Sequence, residues 1–172
     1  GIGPGDEVLV PVFTCTATNL PLLYIGAKPV FVDCDINTLN IDVRDIEHRI
    51  TAKTKAIVCV DYGGVPSNYE ELNNISKKYN LHLIEDAAPA IGAEWEGKKC
   101  GTFGSFSAFS FQGAKLLVTG EGGMLVTDDE SLYKKALKIW DQGRNPEKQF
   151  WIDGNGVKFK MSNMQAAFGL AQ

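Results

Sequence analysis

The sequence predicts an α/β fold, a three-layer α/β/α sandwich built on a mostly parallel, mixed sheet. Three observations predict it. Apolar runs of strand length alternate with stretches of helical periodicity through the first half of the chain. The early runs are too continuously apolar for strands wetted on one face. From Gly101 to Thr127 the alternation gives way to strand followed by strand, which makes the sheet mixed. Strands separated by helices need right-handed crossovers, so helices cover both faces.

The elements follow in order. Glu7–Val10 opens as a strand, and Cys15–Ile25 follows as a helix. Pro29–Asp33 is the second strand and Asp42–Ile50 the second helix. After the strand Ala56–Asp61, a helix spans Tyr69–Tyr79, with Asn68 as N-cap and Glu71 three residues on in a capping-box pattern. Leu81–Glu85 is the next buried strand. Ser107–Phe111 and Met124–Thr127 are then joined through a tight turn marked by Gly120, Gly122 and Gly123. A helix from about Asp129 to Trp140 is capped by Asp128 or Asp129. Asn145–Asn155, polar and carrying Pro146, reads as a long loop before a final helix from about Ser162.

Composition narrows the function classes. A chain of 172 residues with 44% hydrophobic content can bury one sizeable core. The formal charge of −4, without a Lys/Arg run, argues against nucleic acid or anionic lipid and for a small ligand. No apolar stretch reaches membrane-spanning length. Cys15, Cys34, Cys59 and Cys100 lack CxxC spacing, and three lie in apolar segments; they are expected as buried free thiols, with no metal and no disulfide, in a cytoplasmic protein. The chain opens in mid-pattern at Gly1-Ile2-Gly3-Pro4-Gly5-Asp6 and ends on Ala171-Gln172 inside a helical pattern, which suggests a fragment of a longer polypeptide.

Two short segments, each at the end of an apolar run, carry the chemistry: Glu85-Asp86-Ala87-Ala88 and Ser110-Phe111-Gln112-Gly113-Ala114-Lys115. They supply what a pyridoxal phosphate (PLP) site needs: an amine for a Schiff base with the cofactor aldehyde, a carboxylate for the pyridine nitrogen, and a hydroxyl for the phosphate. Taken singly, Lys115 reads first as a solvated loop lysine and Ser110 as a core hydroxyl bonded to backbone, while Asp86 reads equally as a helix N-cap or buried ion pair. Their spacing favours the site, because two strand ends of one α/β sheet converge where such sheets place ligands.

A wider pattern accompanies these segments. Gly3-Pro4-Gly5-Asp6-Glu7-Val8, Gly26-Ala27-Lys28-Pro29-Val30-Phe31-Val32-Asp33, Thr54-Lys55-Ala56-Ile57, Ile84-Glu85-Asp86-Ala87-Ala88, Phe109-Ser110-Phe111 with Lys115, Thr119-Gly120-Glu121-Gly122-Gly123, and Met161-Ser162-Asn163-Met164-Gln165-Ala166-Ala167 occur in that order. Together they resemble the DegT-type sugar aminotransferases of PLP fold type I over almost the whole chain. The resemblance implies that residues 1–172 form a large PLP-binding domain, incomplete because the family's phosphate cradle and its C-terminal small domain fall outside it. It also implies that Lys115 is the Schiff-base lysine, Asp86 the partner of the pyridine nitrogen and Ser110 a phosphate ligand. Lys158 and Lys160 fall where relatives carry residues that reach the cofactor phosphate of a neighbouring subunit, so a homodimer with shared active sites is implied, with Phe150-Trp151 as candidate interface anchors. Gln112 is a candidate for the substrate side.

The activity the resemblance implies is transfer of an amino group from an amino acid, glutamate being the expected donor, to a keto sugar nucleotide. Thr119-Gly120-Glu121-Gly122-Gly123 resembles the members that act on 4-keto sugars, so a 4-keto-6-deoxy sugar is expected. The alternatives are a 3-keto sugar aminotransferase and a non-catalytic PLP-binding or regulatory relative. Sugar dehydratases of the family replace the Schiff-base lysine with histidine, and Lys115 speaks against that role. The chain departs from the family at Cys15, where relatives carry an aromatic ring that stacks on the pyridine, leaving Phe13 as a substitute, and at Pro89, beside the cofactor's 3-hydroxyl.

Overall fold

The computed structural model describes residues 1–172. Its centre is a six-stranded sheet made of β1 (Glu7–Pro11), β2 (Lys28–Val32), β3 (Thr54–Val60), β4 (His82–Asp86), β7 (Phe106–Ser110) and β8 (Gly123–Val126), in the spatial order β2-β1-β3-β4-β7-β8. All neighbours are parallel except β7 and β8, which form the antiparallel pair at one edge. The fold class expected from the sequence is the one observed, and strand limits differ from expectation by one or two residues.

Helices α1 (Thr16–Tyr24), α2 (Val43–Arg49) and α3 (Tyr69–Tyr79) cross between the first four strands. Leu22 of α1 packs with Val8, Val10, Ala56 and Val58 on one face of the sheet. Ile46 of α2 and Leu72 and Ile75 of α3 pack with Leu9, Ile57, Cys59 and Leu83 on the other. The interior strand β1 is buried at every position, as the apolar run Glu7–Val10 requires, and each fully buried aliphatic side chain contributes roughly 1.5–3 kcal/mol. Asp42 caps α2 by accepting from the Arg44 N–H at 2.9 Å, and α3 ends on Asn80 in the left-handed conformation at φ 54°.

Several local expectations are corrected. The reciprocal capping box is absent at Asn68, which only accepts from the Glu71 N–H. It occurs instead at Ser162 and Gln165, which start α5 (Asn163–Leu170). Asp129 rather than Asp128 caps α4 (Glu130–Trp140). Of the cysteines, all free, Cys59 and Cys100 are buried, Cys34 is half-buried, and Cys15, which lies at the N-cap of α1, is exposed. A hairpin of β5 (Glu94–Trp95) and β6 (Lys98–Lys99) was not expected. Its strands are two residues long, too short to register as a periodicity.

The two ends of the chain differ in packing. Neither α4 nor α5 contains a buried residue. Between α4 and the β7–β8 pair runs an apolar groove of about 690 Å³, lined by Phe106, Leu125, Ala136, Trp140 and Phe159 among others. Phe150 and Trp151 are 85% and 57% exposed and so are not core residues. No helix is long and apolar enough to cross a membrane.

Candidate active site

The carboxyl ends of β4 and β7 bring two of the three chemical residues onto one face of the sheet. Asp86 is the last residue of β4, in register with Val60 on β3 and Ala108 on β7. Ser110, two residues beyond Ala108, closes β7, and strand alternation puts Asp86, Ala108 and Ser110 on the side covered by α1. Lys115 follows on the excursion between β7 and β8, where its backbone N–H donates to the Gln112 carbonyl at 2.9 Å.

Asp86 is half-buried and held from both sides. Its Oδ2 accepts from the Thr18 hydroxyl of α1 at 2.7 Å, and its Oδ1 accepts from the Ala88 N–H at 3.1 Å. The second bond forms an Asx turn, so Asp86 ends a strand rather than capping a helix. Thr14 Oγ1 lies 2.8 Å from Thr18 Oγ1, one helical turn away, and steadies the threonine in turn. Each carboxylate oxygen therefore has one donor and keeps acceptor capacity for another. The Ser110 hydroxyl accepts from the Gln112 N–H at 3.3 Å and donates to no group of this chain. Lys115 takes part in none of the chain's ion pairs. Carboxylate, hydroxyl and amine all retain bonding capacity, which fits a ligand that needs an acceptor, a phosphate donor and a nucleophile.

The remaining sequence candidates are placed differently. Gln112 is exposed, and its Oε1 accepts from the Ala114 N–H at 2.9 Å within its own turn. Lys160 pairs with Asp141 and lies over the Trp140 ring, 4.9 Å from its centroid. Lys158 is exposed, bridged through its backbone to Asp141. The structure does not join either lysine to Asp86 or Ser110 within one chain. Phe13 packs on the Tyr62 ring with centroids 4.7 Å apart. Pro89 presents its carbonyl to Gly64, where a side chain's Cβ would stand 3.2 Å away.

On the opposite face lies a polar network that the sequence reading missed. Glu85, fully buried, accepts at Oε2 from the Ser107 hydroxyl at 2.7 Å and the Phe103 N–H at 2.9 Å, and at Oε1 from the Gly101 N–H. Beside it Asp61, also fully buried, accepts from the Tyr69 hydroxyl at 2.7 Å and the Ser67 N–H at 2.8 Å. Burial pushes the Asp61 carboxyl above its ordinary range, against the pull of the Tyr69 and Ser67 bonds. Burial also pushes the Cys100 thiol up to about 12, with the Asp61 charge adding to it. Gly101 is required here: its φ is +94°, and a Cβ would collide with the Phe109 ring. Glu85 thus ties the Cys100–Gly104 segment to the strand that carries Asp86. Two consecutive acids at the end of an apolar run were the available signal, since alternation sends one of them inward.

The fold defines the class first. A six-stranded, mostly parallel mixed sheet with helices on both faces is the large-domain architecture of fold type I aminotransferase structures. The X-ray structure of an aminotransferase from Psychrobacter cryohalolentis superposes with a TM-score of 0.93 at 38% identity, covering 99% of this chain and 46% of that one. A Streptococcus pneumoniae protein solved in a PLP-form gives a TM-score of 0.90 at 31% identity, covering 99% of this chain and 49% of that one.

The chain belongs to the DegT/DnrJ/EryC1/StrS aminotransferase family, which it matches over residues 1–172. Among curated relatives, GDP-perosamine synthases of Escherichia coli O157:H7 and Caulobacter vibrioides are 48% and 44% identical over 172 residues, all of this chain. The chain spans about half the length of the curated relatives it matches, 47% and 46% for these two.

Proposed function

We propose that this chain is part of the large PLP-binding domain of an aminotransferase that moves an amino group from an amino acid, glutamate, onto a keto sugar nucleotide, with a 4-keto-6-deoxy sugar as acceptor. The observation that carries this reading is the Asp86 carboxylate. It is fixed by Thr18 and Ala88 and left with acceptor capacity, on the same sheet face as Ser110 and one short excursion from Lys115. Family membership and the identity to GDP-perosamine synthases support the acceptor class.

Bound PLP supplies an electron sink for the pair released when the donor loses its α-proton. Asp86 would hold the proton of the pyridine nitrogen, and so keep the ring cationic. Ser110 would donate its free hydroxyl proton to the phosphate. Lys115 would hold the cofactor covalently and, once released, its Nζ would accept the proton leaving the donor's Cα as general base, then return a proton as general acid. The same residues work in reverse order on the keto sugar. Lys158 and Lys160 would serve the cofactor phosphate of a partner subunit in a homodimer, where two cations suit a dianion. For Lys160 this requires release from Asp141. Gln112 would turn toward the sugar from its present hydrogen bond to Ala114.

The test is an absorption spectrum of the full-length protein with PLP, followed by glutamate. A visible band that is converted by glutamate, in protein with Lys115 intact and not in Lys115→Ala, is the expected result. A band that responds to no amino donor would favour a regulatory relative, and no band would overturn the reading.

A further inference from the structure

Between β7 and β8 the chain makes a closed excursion with Lys115 on it. Its neck is shut by two backbone bonds, Phe111 N–H to the Gly122 carbonyl at 2.8 Å and Thr119 N–H to the Phe111 carbonyl at 2.9 Å. The outgoing limb, which carries Lys115, makes only local bonds to Ser110 and Gln112. The return limb is held from outside, by α5.

Two glutamines make that connection. Gln165 Nε2 donates to the Glu121 carbonyl at 2.7 Å, while its Oε1 accepts from the Ser162 N–H at 2.9 Å as part of the capping box. One amide therefore locks the start of the helix and the loop together. Gln172, just past the C-cap of α5, pairs with the backbone of Val118 as a neighbouring strand would: Oε1 accepts from its N–H at 3.1 Å and Nε2 donates to its carbonyl at 2.6 Å. Between them Gly169 brings the helix backbone close to the limb. A Cβ there would stand 3.1 Å from the Thr119 methyl. At the other end a Cβ on Gly122 would meet the Met161 methyl at 2.9 Å.

We infer that Gln165 and Gln172 are positioning residues for Lys115: α5 fixes the return limb, and with the neck closed this fixes where the lysine amine stands. The inference rests on the proposed role of Lys115. It is a claim about geometry, since neither glutamine touches the lysine. Residues that hold a reactive group through a second layer of hydrogen bonds act by restricting its range of positions.

The experiment compares full-length wild type with Gln165→Glu, Gln172→Glu and the double variant. Gln165→Glu keeps the capping-box acceptor and sets a carboxylate oxygen against the Glu121 carbonyl in place of the donor, and Gln172→Glu loses the donor to the Val118 and Phe168 carbonyls. In cofactor-free protein, the rate of Lys115 acetylation by acetic anhydride is followed against pH by peptide mass spectrometry, with the exposed Lys53 as internal reference. The expected result is a rise in the Lys115 rate of about threefold or more in the double variant, with a displaced pH profile, as the loop gains freedom; Lys53 stays unchanged. A purely structural role would lower the melting temperature and leave the Lys115 profile in place, which overturns the inference. If the double variant fails to fold, Gln172→Glu, at an exposed residue, carries the same comparison. Borohydride reduction with PLP separates the two claims. Label on a lysine other than Lys115 defeats the functional reading, whereas label on Lys115 with an unmoved acetylation profile defeats only the positioning role.

Discussion

Consecutive on β4, Glu85 and Asp86 project to opposite faces of the sheet and meet different surroundings. Glu85 is sealed among backbone N–H groups and the Ser107 hydroxyl, next to the buried Asp61–Tyr69 pair. Asp86 is half-buried, with one donor on each oxygen. The difference teaches how one strand can serve two purposes. A carboxylate saturated by donors from its own chain is fixed as structure, and one left with acceptor capacity at a strand's carboxyl end is available to a ligand. The two are linked, because Glu85 anchors the strand from behind while Thr18 orients Asp86 from in front.

Mutations on the two faces should therefore separate activity from stability. The largest effect is expected from Lys115→Ala, which removes the proposed covalent anchor: turnover of the full-length protein falls by about 10³-fold or more, while unfolding free energy in urea changes by no more than about 0.5 kcal/mol. Comparable loss of stability would break the distinction. Next, Glu85→Ala leaves several buried donors without an acceptor and should cost about 3–5 kcal/mol in the same urea titration. A neutral result there would mean that water replaces the carboxylate.

Smaller effects sharpen the comparison. Thr18→Val removes one bond to Asp86 and should weaken PLP binding by about tenfold, measured by fluorescence titration, with Thr18→Ser restoring it. The pH dependence of stability tests the buried side. Burial raises the folded-state pKa of Asp61 above the ordinary value of 3.8. The native state then holds this proton to higher pH than the unfolded chain does. The stability so contributed is present at low pH and lost as pH rises through the folded pKa. Relative to Asp61→Asn, wild type should gain stability as pH falls from neutrality toward 3.8. A difference between the two that is independent of pH would contradict the assignment.

Much of this was legible in the sequence, for identifiable reasons. Strands β1 and β3 are buried on both faces and so read as continuous apolar runs. The strand-end positions of Asp86 and Ser110 followed from the later runs that became β4 and β7. The β5–β6 hairpin was not legible, because two-residue strands carry no period. Nor were the partners of the site residues: Thr18 lies 68 positions from Asp86, and no local pattern encodes a contact made across a sheet. Cys15 was grouped with the buried thiols by residue type alone, although it stands between Thr14 and Thr16 and, as the N-cap of α1, is exposed. The exposed aromatic residues Phe150 and Trp151 show the converse, since apolar character alone did not place them in a core.

The central claim is that the Asp86 face, and not the Glu85 face, is the cofactor side, with Lys115 as its covalent anchor. Reduction of the PLP-loaded full-length protein with borohydride, followed by peptide mapping, tests it most directly. The account predicts one phosphopyridoxyl group per chain, on Lys115, with the label lost in Lys115→Ala. A stoichiometric label on any other lysine, or none in a folded protein saturated with PLP, would contradict it.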